Sequence, residues 1–114
     1  MLEIQVNDRG AFQVVRLGGE LRAMDADRLD PTIGELALGE GARLAIDLSG
    51  LRLIDSSGLS ALIHLVTRAR LTQGRVVLVA PSPFVAGILD ATRLDRWFEV
   101  CATLGEADRQ LRQT

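Results

Sequence analysis

The chain has 114 residues, 47% hydrophobic and 25% charged, with a formal net charge of −2; that is enough for one domain with its own core and too little for two. One cysteine, Cys101, excludes a disulfide framework or multi-cysteine zinc site, and the lack of lysine excludes a P-loop and a Schiff base. Arginines scattered among 15 acids leave no nucleic-acid footprint, no apolar run is long enough to span a bilayer, and Met1-Leu2-Glu3 does not begin a signal peptide, so a cytoplasmic protein without direct membrane insertion is expected.

The pattern predicts a strand over Leu2–Val6, a tight turn at Asn7-Asp8-Arg9-Gly10 and a second strand over Ala11–Leu17, paired as an antiparallel hairpin that Gly18-Gly19 ends. From Asp25, the spacing of Leu29, Ile33, Leu36 and Ala37 predicts an amphipathic helix with Pro31 kinking it or in its first turn, stopped at Gly39-Glu40-Gly41. Arg43–Leu48 reads as the third strand, broken at Ser49-Gly50.

Leu59, Leu62, Ile63 and Val66 form the clearest helical stripe, ending near Arg70 before Thr72-Gln73-Gly74. Val76–Ala80 is apolar on both faces, as suits a covered parallel strand. Ser82 and Pro83 start a helix expected to bury Phe84, Val85, Ile88 and Leu89. Trp97–Ala102 is a last strand, and Leu104, Ala107 and Leu111 mark a C-terminal helix. Strand–helix alternation after a hairpin implies an α/β fold with a mostly parallel sheet.

Candidate chemistry is sparse. Ser56 and the sole histidine, His64, lie eight residues apart on one predicted helix, a rise of about 12 Å, whereas a nucleophile and its base need about 3 Å. One histidine and one cysteine, far apart in the chain, give no metal-ligand spacing, so neither cofactor nor metal nor catalysis is expected, and Cys101 reads as a core residue. Asp55-Ser56-Ser57-Gly58 has two compatible readings. Its Asp and Ser can cap the following helix, which puts the cost of Ser56→Ala at about 1 kcal/mol. A serine at an exposed helix start also tolerates a phosphate, because free N–H groups and the helix dipole face it.

Leu44–Val100 resembles the STAS domain, the fold of bacterial anti-sigma factor antagonists. The resemblance rests on Leu44–Gly50, Ile54–Leu59, Gly74–Val79, Pro81-Ser82-Pro83 with Leu89, and Leu94–Phe98; the N-terminal hairpin and Gly19-Glu20-Leu21 extend it over nearly the whole chain. It implies a single STAS-like domain over 1–114, with a mixed, mostly parallel sheet of four to five strands, an N-terminal hairpin and about four helices. It also implies a protein–protein switch and no enzyme. The unphosphorylated antagonist binds an anti-sigma factor that is also a serine kinase, frees the sigma factor for transcription, and is released when phosphorylated at the position of Ser56; a phosphoserine phosphatase reverses this.

On that likeness Arg22, Asp25, Asp55, Ser57, Gly58 and Leu59 bind the partner around the phospho-acceptor, and Gly58 lets the kinase approach closely. Where family members often carry an acid after Gly-Glu-Leu, this chain has Arg22, with Asp25 the nearest acid downstream. The exchange is compatible with altered partner recognition, with a guanidinium–phosphoserine pair, with loss of the kinase circuit, or with a solvated surface arginine. The alternative function is a STAS docking module of a lipid- or anion-transport assembly or of a stress-signalling complex.

Overall fold

A computed structural model describes residues 1–113, excluding the side chains of Asp30, Ala37 and Leu38. Five strands, β1 (Leu2–Asp8), β2 (Gln13–Leu21), β3 (Arg43–Ile54), β4 (Arg75–Val79) and β5 (Glu99–Cys101), form one sheet in sequential order. β1 is antiparallel to β2 and every other pair is parallel. The helices are α1 (Ala23–Leu29), a π-helical turn (Asp30–Gly34), α2 (Glu35–Leu38), α3 (Ser56–Leu71), α4 (Pro83–Ala91) and α5 (Leu104–Arg112).

Period-two alternation gives the sheet two apolar faces, as β4 shows most plainly. Val76 and Leu78 join Leu44, Ile46, Val15 and Leu17 beneath α1, α3 and α4, while Val77 and Val79 join Ala45, Val14 and Cys101 beneath Ala107 and Leu111 of α5. Beyond Val14 that face turns polar, with Glu3, Gln5 and Asn7 of β1 exposed, and there Arg16 Nε donates to the buried Asp47 carboxylate at 3.2 Å.

Several expectations need correction. Ser49-Gly50 does not break β3. Two register shifts against β2 put extra residues into β3, so Leu48, Leu51 and Ile54, spaced by three, all reach the same core. Asp47 Oδ1 accepts the Ser49 N–H at 2.9 Å beside the first shift, and Gly50 lies opposite Gly18. Nor do Gly18-Gly19 end β2: Gly19 is a strand residue with φ +87°, and a side chain there would meet the Met1 carbonyl at 2.1 Å. The strand runs on to Leu21, and the hairpin turn sits later than expected, since Asp8 still pairs with Gln13. Finally, Phe84 is 48% exposed while Val85 and Leu89 are buried.

Pro31 falls in the π turn, a wider backbone that accommodates a residue with no N–H to give an α-helical ladder. Leu29 and Ile33 are buried on either side of it, while the expected apolar position Ala37 lies outside the described side chains. The last strand is shorter than expected: Trp97 and Phe98 precede it as an edge-to-face pair 4.9 Å apart, with Arg70 from α3 4.3 Å above the Trp97 ring.

Candidate functional site

β2 and β3 end side by side, Leu21 opposite Ile54, and the chain turns from each into a helix. Both helix starts leave backbone N–H groups without intrahelical partners. Asp55 serves both. As N-cap of α3 its Oδ1 accepts from Gly58 N at 2.8 Å, while its Oδ2 accepts from Ala23 N at the start of α1 at 3.1 Å. Its own N–H donates to Leu21 O at 3.2 Å. Asp25 completes the junction: it is 7% exposed, and its Oδ2 accepts from Arg22 N at 3.2 Å.

These contacts give several of the expected site residues a place in the frame of the domain. Asp25 and Asp55 spend their carboxylates on amides of this chain. Gly58 is buried, and the room it makes is filled from inside: an added Cβ would lie 2.4 Å from Leu21 O and 2.8 Å from Leu21 Cγ. Its missing side chain permits the approach of α3 to β2. Leu59 is half-buried against the main core. Ser56 is not a cap either. It is the first residue of α3 and exposed, and among the described residues no hydrogen bond holds its hydroxyl. Ser57 is exposed beside it, and Arg22 is exposed with Nη2 3.1 Å from Glu20 Oε2.

A groove of about 650 Å³ opens next to Ser56, between α1 with its π turn and α3, lined by Ala26, Asp27, Pro31, Ser57, Ser60 and His64. Sequence reasoning passed over it. The available signal was a second stripe on α3, in which Ser57, Ser60, Ala61 and His64 repeat small or polar residues at helical spacing opposite the apolar stripe. His64 shares the helix with Ser56 two turns away, out of reach of its hydroxyl. Among the described residues no group of three or more His, Cys, Asp or Glu is placed to hold a metal ion, and no helix is long and apolar enough to cross a membrane.

Residues 3–107 match the STAS domain family. The chain belongs to that family. This STAS domain is 28% identical over 107 residues, 93% of its length and 86% of the relative's, to the anti-sigma-F factor antagonist RsfB of Mycobacterium tuberculosis. It superposes on an anti-sigma factor antagonist from Mycobacterium paratuberculosis with a TM-score of 0.86 at 27% identity, covering 99% of this chain and 96% of that one. Its fold is also that of the anti-sigma factor antagonist SpoIIAA in its unphosphorylated form, with a TM-score of 0.81 at 24% identity and 98% of each chain covered.

Proposed function

We propose that this STAS domain is an anti-sigma factor antagonist whose binding to an anti-sigma factor with serine-kinase activity is ended by phosphorylation of Ser56. The observation that carries the reading is the state of that side chain: an exposed hydroxyl, with no hydrogen bond among the described residues, on the first residue of a helix whose cap is supplied by its neighbour Asp55. A kinase can take this hydroxyl without dismantling the helix start, and the added phosphate, with a charge of about −1.5 to −2, meets the N-terminal end of the α3 dipole. The same charge is carried by the chain neighbour of Ser57, which lines the groove with Ser60 and His64, and there it opposes a docked partner. Similarity to RsfB and to the mycobacterial antagonist structure supports the sigma-regulatory role. A phosphatase that removes the phosphate completes the cycle.

The test pairs labelling with binding. The host's anti-sigma kinase and ATP should phosphorylate the wild type and leave Ser56→Ala unmodified. Ser56→Ala should bind the anti-sigma factor like the wild type, Ser56→Asp should bind at least tenfold more weakly, and Ser60→Arg should block the groove without altering the fold. Label on another residue, or equal affinities for the wild type and Ser56→Asp, would remove the switch.

A further inference from the structure

A phosphate on Ser56 adjoins carboxylates. Asp55 precedes it in the chain, Asp25 and Asp27 lie on the neighbouring α1, and the cationic or titratable groups of the same two elements and their junction are Arg22, Arg28, His64 and, in the last turn of α3 at the far end of the helix, Arg68 and Arg70. Arg22 is the one tied to the Ser56 turn through its backbone. It follows Leu21, which is the register partner of Ile54 and whose carbonyl accepts the Asp55 N–H at 3.2 Å. Its N–H donates to Asp25, its carbonyl accepts from Asp25 N and Ala26 N at 2.9 Å each, and the next amide, Ala23 N, is held by Asp55 itself.

The backbone of Arg22 is therefore fixed against the residue preceding Ser56, while its side chain is 51% exposed and, among the described residues, paired with Glu20 alone, two residues back on the rim. Half-exposed pairs of this kind are weak and exchange readily. A phosphate offers a guanidinium fork two parallel acceptor oxygens and twice the charge of Glu20. Given the reading of Ser56 as phospho-acceptor, we propose that Arg22 is the intramolecular partner of the phosphate: on modification its guanidinium leaves Glu20 and pairs with phosphoserine 56, closing the phosphorylated turn onto the end of β2.

A cation beside a phosphate favours the doubly ionised form and so lowers the pH at which its second proton leaves. The experiment uses full-length chain with phosphoserine placed at position 56 during synthesis, followed by ³¹P NMR across pH. The wild type should lose that proton about half a pH unit below Arg22→Gln, with Arg22→Lys between them and Glu20→Gln at least as low as the wild type. Arg22→Gln should unfold at the wild-type temperature, since the capping amide it contributes is main-chain. Superimposable titrations of the wild type and Arg22→Gln would overturn the pairing. Because no kinase is used, that failure is distinct from a failure of the labelling experiment above.

Discussion

The two ends of the sheet solve the same problem with opposite charges and are left with different surfaces. Where the parallel strands begin, guanidinium groups satisfy the last carbonyls of α5. Arg43 donates to Leu111 O, and Arg75 donates to Gln110 O at 2.9 Å while gripping Glu99 at 2.7 Å. Where β2 and β3 end, carboxylates satisfy the first amides of α1 and α3 through Asp25 and Asp55. Each arrangement suits the helix dipole it faces. At the first end Arg75 is occupied on both sides, by a carboxylate that holds its proton more tightly than usual and by a backbone carbonyl. At the second, the caps leave Ser56, Ser57 and a groove unoccupied. A charged residue near a site need not belong to the chemistry; here the acids hold the frame and the uncharged serine is the group offered outward.

The contrast can be broken most forcefully at Gly58. A methyl group there must displace the Leu21 carbonyl, so Gly58→Ala should cost about 3 kcal/mol, read as a lower urea midpoint with an unchanged slope. Next comes the pair of capping charges. Asp55→Ala orphans amides of two helices and should cost about 2 kcal/mol, whereas Arg75→Met, at a partly exposed site, should cost about 1 kcal/mol. Only the first should also change the rate at which Ser56 is phosphorylated; equal loss of phosphorylation in both would mean that the two ends are not separable.

The smallest effect belongs to Cys101, under α5 and far from Ser56 in the chain. Burial pushes its thiol above the usual range, the Glu106 and Glu99 carboxylates add to this, and Arg75 opposes it. A raised folded-state pKa stabilises fully below the unfolded thiol's pKa, and the contribution is lost as pH climbs toward the folded value. Stability should therefore fall above about pH 8.5, and Cys101→Ala should flatten that fall without moving any property of the Ser56 turn. Denaturant titrations from pH 7 to 10 would record it.

Elements whose signals are local could be read directly. The stripe of α3, the Ser82-Pro83 start of α4 and the two-sided apolar run of β4 need only a period of 3.6 or 2 and a cap, and each stands close to where it was expected. β3 was misread because its buried residues after Leu48 recur every third position, a spacing that belongs to neither regular period. The bulges that produce it exist only against the neighbouring glycine-containing strand. Phe84 follows the helical pattern of α4 yet stays exposed, because an amphipathic stripe is wider than the contact it makes.

The Asp55–Gly58 turn divides along the same line. Its residue types alone announce a helix start and an available hydroxyl, since capping and exposure at a first turn are matters of a few adjacent bonds. That the second oxygen of Asp55 reaches another helix 32 positions away in the chain, and that Gly58 makes room for Leu21, depend on strands brought together from distant positions. Steric fit and hydrogen-bond reach act over a few ångströms of space, whatever the separation along the chain, and so appear only once the sheet has closed.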